Sequence, residues 1–382
     1  MERKKSSIAF VGLHAHSVAG SPFDGFGYPQ EHMDFAYDNG ASALALTDHG
    51  NMNGLSHQIL HAKKMKKEGK EFKPIFGVEA YFVPSVKEWK AAYEKAKEDK
   101  KTARELESDP TKTANEDEGA SKSKSDNIIR ARRHLILLAQ NQTGLNNIFK
   151  MISTSFQGDN FYRYPRVDYD LLREYNEGIV AASACLGGVY AGNYWDNCIY
   201  EEYEVEETGK TKTKKVGENE EAILEAMRET TKNMIDIFGD RWYGELQWNN
   251  IPEQHSLNKY VIKMHEEFGI DLISTADSHY PTPTAWKDRE LYKRLGFLNR
   301  PNKPEWMTSE LPIDIDEIGY ELYPKNGDQM WESYKKYSEE CGVEYDDEIV
   351  YNSLTTTHWI AHELIEDRSE EHTSELQSQF RI

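Results

Sequence analysis

Short apolar runs alternate with longer amphipathic stretches over about the first 280 residues of the chain. Seven runs predict strands: SIAFVGL, ALALT, PIFGVEAYFV, HLILLA, GIVAASA, WYGELQW and DLISTA. Between them, PQEHMDFAYDNG, NGLSHQILHAKKMKKEG, GLNNIFKMISTSF, NEEAILEAMRETTKNMIDIFG and PEQHSLNKYVIKMHEEFG carry apolar residues at helical spacing. Several end at Gly, as a helix C-terminus should. Strand and helix in turn are the mark of βαβ units and a parallel sheet. Two segments interrupt the pattern. Residues 86–127 form a Lys/Glu-rich helical stretch running into SDPTKTANEDEGASKSKSD, and residues 201–217 form a charged loop. Both read as surface insertions, the first partly disordered. After DSHYPTPTAW the alternation stops, and 286–367 reads as mainly helical with scattered Trp and Tyr, so a boundary is expected at 285.

With 382 residues there is room for one large domain and part of another. Apolar residues at 38% and charged ones at 29% fit a soluble globular chain with polar insertions, not a disordered or membrane one. No segment approaches the ~20 apolar residues of a membrane span. The start, MERKKSSIAFVG, is positive, but its apolar run is too short for a signal peptide, so a cytoplasmic protein is expected. Cys185, Cys198 and Cys341 are too few and irregular for a disulfide framework or a zinc knuckle. A net charge of −20 argues against a uniformly basic nucleic-acid binder. Two local basic patches remain: KKMKKEGK at 63–70, chiefly a solvated helix face, and RARRH at 130–134. FYRYPRVDYD, 161–170, mixes Tyr, Phe and Arg; it suits a single-strand stacking surface or a tyrosine-rich loop packed on the barrel.

Metal-binding residue types fall where the predicted strands end. They are His14 and His16 in LHAHS, Asp48 and His49 in TDHGN, Glu79 in GVEA, Cys185 in SACLGG, and Asp277 and His279 in ADSHY. His134 in RRHLILL sits instead at the start of its strand or just inside it. In barrels of parallel strands the C-terminal ends form the active face, so most of these side chains would converge in one bowl. Alternating residues share a strand face, so an H-x-H pair presents two nitrogens to one cavity. A lone H-x-H is commonly a pair of ordinary histidines. The second i, i+2 pair, closing the last strand, changes that, because the two stations become neighbours only if a barrel closes. Four His, two or more carboxylates and a Cys exceed the four ligands of one zinc ion. They suit two or three divalent ions about 3.5 to 4 Å apart, with Zn, Mn or Fe favoured over Mg or Ca. Such a cluster clamps a phosphoryl oxygen and lowers the pKa of a bound water, so the residues point to a metal-dependent phosphoesterase. His32, His57, His61, His255 and His265 lie on helical stretches and read as surface or packing residues, as do Cys198 and Cys341.

Taken together, LHAHS, LALTDHGNMNG, GVEAY, HLILLAQNQTGLNNI, SACLGG and STADSHY resemble, in order over about residues 8–282, the polymerase and histidinol phosphatase (PHP) domain. The similarity is to the branch at the N-terminus of bacterial and phage C-family replicative polymerases. It implies an α/β fold, a distorted seven-stranded (β/α) barrel followed by a mainly helical segment. It also implies metal ligands at His14, His16, Asp24, His49, Glu79, His134, Cys185, Asp277 and His279. Asp24, in SPFDGFG, stands about one residue off the family spacing; Asp48 is assigned to holding His49. His14, His16, His49, Asp277 and His279 are the expected catalytic set.

The retained ligands imply an active phosphodiesterase or 3′–5′ exonuclease working on a primer 3′ end, with the rest of the polymerase and replisome subunits as partners. Residues 286–367 resemble the opening of the polymerase portion, but no P-D-x-D-x-D segment follows. LPIDIDEIGY offers Asp314 and Asp316 without the leading Asp and too early, so no polymerase site is expected. A non-catalytic, metal-stabilised scaffold and a free-standing phosphatase are the competing functions. Residues 368–382 contain RSEEHTSELQS, similar to an in-frame translation of a sequencing adapter, and are expected to be a tail foreign to the protein.

Overall fold

The computed structural model describes residues 3–107, 131–205, 210–299, 307 and 309–367. Among these described residues ten strands form: β1 Ala43–Leu46, β2 Lys73–Phe82, β3 Arg133–Ala139, β4 Phe161–Tyr162, β5 Tyr164–Val167, β6 Ile179–Ala182, β7 Cys198–Val205, β8 Lys210–Glu218, β9 Trp242–Gln247 and β10 Asp271–Thr275. Pairing runs β10-β9-β6-β3-β2, and β1 lies beside β2. The segment around residues 12–16 completes the ring. Ala45 and Thr47 donate backbone hydrogen bonds to Gly12 and Ala15, while Ser278 donates to His14 and His16 to Ser278. Seven staves thus close in chain order, the seven predicted from the apolar runs.

Three details depart from expectation. The first run, SIAFVGL, makes isolated bridges at Gly12 and Ala15 instead of a regular strand. The reason is a change of face: Val11 and Leu13 pack inside the barrel, yet His14 also turns inward and meets the far stave. Second, the ring is not all parallel, since β3 runs antiparallel to both β2 and β6. Third, 201–205 and 210–217 belong to a two-stranded ribbon, β7 with β8, where a loop was expected. Glu201 faces Lys214 and Glu202 faces Thr213 across it, so an acidic strand is matched by one rich in Lys and Thr.

Alternate residues line the barrel. Val11, Leu13, Ala43, Ala45, Ile75, Ile136, Leu138, Val180, Ala182, Tyr243 and Ile273 form one buried cluster drawing on every stave. Ile360, Ala361 and Ile365, at the end of the helix Asp347–Trp359, close its lower end. Lys73 ties this plug by donating to the carbonyls of Ala361 and Ile365. The outward faces carry Val78, Ala80, Leu135, Leu137, Ile179, Trp242 and Leu272 against the helices Gln142–Ser155, Glu220–Phe238 and Pro252–Phe268. Burial of that apolar layer is the main source of stability. Val350 and Leu354 join the same cluster, so the helices past 285 pack on the barrel wall. Two further helices, Tyr169–Tyr175 and Val189–Asp196, lie where the sequence pattern was too short to show them. Residues 108–127 of the first insertion and the tail 368–382 fall outside the described residues.

Candidate metal centre

One i, i+2 step up each stave from the apolar lining, the chemistry changes. Thr47 and His49 follow Ala45, Glu79 follows Gly77, and Glu245 follows Tyr243. Because β3 is antiparallel, its first residues reach the rim where the other staves end, and His134 therefore joins the bowl from a strand start. The other rim residues come from turns. Among the described residues, four other than glycine have positive φ: Phe23, Arg163, Ala184 and Asp277. Two directly precede Asp24 and Cys185, and Asp277 is the third. Such backbone costs roughly 1–3 kcal/mol each and persists where the surroundings enforce it.

All nine candidate residues meet in one cluster of side chains. His14 Nε2 lies 3.0 Å from His16 Nε2, 3.3 Å from Glu79 Oε1 and 3.1 Å from Asp277 Oδ1. His16 Nε2 is 3.2 Å from Asp277 Oδ1. Glu79, fully buried, also reaches His49 Nδ1 at 2.5 Å and His134 Nδ1 at 3.0 Å. Cys185 Sγ stands 3.6 Å from His134 Nδ1. Asp24 Oδ2 lies 3.0 Å from His49 Nε2 and 3.5 Å from His279 Nε2. Three ligand triads result: His16, His49 and His279; His14, His16 and Glu79; His49, Glu79 and His134.

These contacts fit metal ions better than they fit one another. His49 Nδ1, Glu79 Oε2 and Asp277 Oδ1 are buried and meet one another's neighbours only in close ion-pair contacts that lack hydrogen-bond geometry. Buried polar atoms are ordinarily paired. Here lone pairs converge on common points, the arrangement a cation resolves. The donor set of five imidazoles, three carboxylates and a thiol suits Zn, Mn or Fe. Burial works to lower His14, but Asp277 and Glu245 outweigh it and hold the ring well above its ordinary pKa. His16 is pushed down to about 3 by burial and by His49 and His279. Burial would raise Glu79, yet His134 and His49 hold it well below the carboxylate range.

Sequence reasoning missed two supports. Glu245, buried on β9, accepts from His14 Nδ1 at 2.8 Å, leaving Nε2 to face the rim, and takes further bonds from Thr275 and Gln247. A glutamate inside the apolar run WYGELQW was the available signal. Arg289, from the helix Trp286–Leu295, donates to Asp24 Oδ1 at 2.7 Å and to the Asp24 carbonyl at 2.8 Å. Nothing in its local sequence marks it. Asp48 does not hold His49, as had been expected. It accepts from the backbone and hydroxyl of Ser17 and from Ser21 Oγ, so it anchors the turn that carries Asp24. The histidines set aside have ordinary partners: His32 donates to the Phe26 carbonyl, His61 meets Asp34, His255 bonds Asn249, and His265 bonds Ile270. Asp314 caps the turn Ile315–Ile318, and Asp316 pairs with Lys336.

A closed ring of seven staves with this rim defines a barrel protein built around a candidate metal centre. Residues 12–249 match the family model of the PHP domain, and the chain belongs to that family. It is 34% identical over 275 residues to the DNA polymerase III subunit alpha of Aquifex aeolicus, covering 72% of this chain and 18% of that protein. To the same subunit of Helicobacter pylori strain J99 it is 29% identical over 345 residues, covering 90% of this chain and 24% of that protein. The chain thus spans about a fifth of the length of these relatives. A solved amidohydrolase from Chromobacterium violaceum shares 16% identity, covering 74% of this chain and 97% of its own, at a TM-score of 0.31, too low for comparing sites.

Proposed function

We propose that the chain is the PHP portion of a cytoplasmic replicative polymerase alpha subunit and that its rim is a metal-dependent phosphodiesterase, a 3′–5′ exonuclease acting on the primer end. The observation that carries this is the convergence of nine side chains, six of them in the three triads, with buried ligand atoms whose contacts lack hydrogen-bond geometry. His14, His16, Asp24, His49, Glu79, His134, Cys185, Asp277 and His279 would hold two or three Zn, Mn or Fe ions. Bound there, the ions supply Lewis acidity toward a phosphoryl oxygen and a lowered pKa for water. The chain's own part is orientation. Glu79 touches four of the five imidazoles and sets their spacing. Glu245 fixes the His14 ring, and Arg289 turns the second oxygen of Asp24 toward His49 and His279. Residues 286–367 are assigned to the opening of the polymerase portion, whose DNA and replisome partners follow from that assignment.

Metal analysis of the purified chain combined with digestion of a 3′-labelled primer tests the proposal. Two or three ions per chain and chelator-sensitive loss of 3′ nucleotides are expected. Metal binding that raises the melting temperature without any cleavage would favour the scaffold function. Turnover of a small phosphomonoester but not of the primer would favour a free-standing phosphatase.

A further inference from the structure

Two sequence features singled out separately, the described residues 131–134 of the basic patch and FYRYPRV, come together beside the metal rim. FYRYPRV forms the hairpin β4–β5, with Arg163 at its tip in the left-handed region, φ 61°. Buried Arg166 locks this hairpin to the segment leading into His134, donating to the carbonyls of Ala131, Tyr162 and Tyr164. The Arg132 guanidinium consequently lies 3.9 Å over the Tyr164 ring and 5.2 Å from the Tyr81 ring. Tyr81 and Tyr164 meet edge to face at 5.4 Å. Tyr81 in turn lies parallel to the His49 ring, 11° and 6.0 Å apart, and 5.6 Å from that of His134. Gly50 keeps it there: a Cβ at that position would come within 3.1 Å of the Tyr81 ring and 3.0 Å of Pro165. An aromatic and guanidinium row therefore starts at two rim imidazoles and ends at Arg132, and at the hairpin tip beside it the exposed Arg163 guanidinium lies 5.6 Å from the neighbouring Tyr162 ring.

In a chain of net charge −20, this is cationic and aromatic surface continuous with the phosphodiesterase rim. Alternating rings and guanidinium groups are what unpaired nucleotides stack on and what their phosphates pair with. Bases in a duplex do not offer their faces. Arg163, the fourth positive-φ residue other than glycine among the described ones, also lies here, and strained backbone collects at working sites. We infer that Tyr81, Tyr164 and Arg132, with Arg163, form a stacking platform for the single-stranded 3′ end of DNA, delivering its terminal phosphodiester to the rim. This rests on the phosphodiesterase function proposed above and names the strand state of its substrate.

The test uses the full chain with metal bound, a labelled oligothymidylate, a blunt duplex of equal length, and bis(p-nitrophenyl) phosphate. Anisotropy should show the single strand bound at least about ten-fold more tightly than the duplex. Tyr164→Leu, which keeps apolar packing but removes the ring, and Arg132→Gln should each weaken single-strand binding about ten-fold. For any cleavage of the oligonucleotide, the loss should appear in KM. Tyr164→Phe should bind like the parent. Arg163→Gln, at an exposed tip that no core depends on, should lower the salt dependence by about one phosphate contact. Equal affinity in Tyr164→Leu, Arg132→Gln and the parent, or an unchanged salt slope in Arg163→Gln, overturns the platform. Failure of the parent to hydrolyse bis(p-nitrophenyl) phosphate, with oligonucleotide binding intact, sinks the rim chemistry and leaves the platform standing.

Discussion

The lower and upper halves of the barrel interior stand on the same staves. Below, Ala43, Ile75, Ile136, Val180 and Ile273 fill the space with apolar atoms and are complete in themselves. Above, two to six residues away on the staves, His49, Glu79, His134, Glu245 and Asp277 fill it with nitrogens and oxygens, several of which find no hydrogen bond. The lower half gains free energy by excluding water. The upper half crowds like lone pairs together, a cost the fold bears only with something else in view. Stability and chemistry are thus separated by a few ångströms along each strand, and substitutions should sort accordingly.

The largest contrast is expected between His16→Ala and Leu13→Ala. The first, like Asp277→Ala, should lower phosphodiester cleavage by more than the roughly 10- to 100-fold seen when an outer partner of a metal ligand is lost. The melting temperature of the metal-free chain should hold or rise. Leu13→Ala should cost about 2–5 kcal/mol of stability while metal content per folded chain is unchanged. Chemical denaturation with metal analysis of both variants checks the pair; equal stability losses would erase the distinction between halves.

A smaller effect should come from Glu245→Gln, which keeps the shape on β9 but not the charge facing His14. Metal affinity, measured by competition with a chromophoric chelator, should fall roughly 10- to 100-fold with cleavage following occupancy. A buried imidazole outside the rim sharpens the comparison in another way. His32 is pushed down to about 4 by burial, against the hydrogen bond to Phe26. Since the folded form holds its proton less tightly than the unfolded one, its contribution is complete above pH 6.5 and is lost as pH falls from there toward 4. The loss should reach about 3 kcal/mol, and His32→Gln should remove that part of the pH slope in urea titrations. The smallest effect is reserved for residues 368–382, where Glu, Ser, Thr and Gln leave little apolar surface to bury. Removing them should leave the melting temperature unchanged within error; a drop of several degrees would show the tail to be part of the protein.

Most of the barrel was legible because its logic is periodic. Period-two burial marks the staves, and chemistry at their ends marks the rim. Direction is not periodic: HLILLA reads alike both ways, so the antiparallel course of β3 could not be seen, and His134 looked misplaced until it was. The ribbon β7–β8 was hidden because the match of Glu201 to Lys214 exists only once the strands pair. Arg289 was hidden for a similar reason, its contact with Asp24 spanning 265 positions of chain. The inward turn at His14 follows from closure against Asp277 and Ser278, which no local pattern records.

The closure of the ring through Ser278 also orders events in time. His14 and His16 leave the ribosome early, but the backbone that seats them, and Asp277 beside it, come roughly 260 residues later, a delay of roughly 13 to 50 seconds at ~5–20 residues per second. During that interval the nascent chain carries His14, His16, His49, Glu79 and His134 without their last stave. Loading of the whole centre must then wait until residues 277 to 279 have been added, and a chain stalled before residue 277 would present loose imidazoles to whatever metal the cell leaves free.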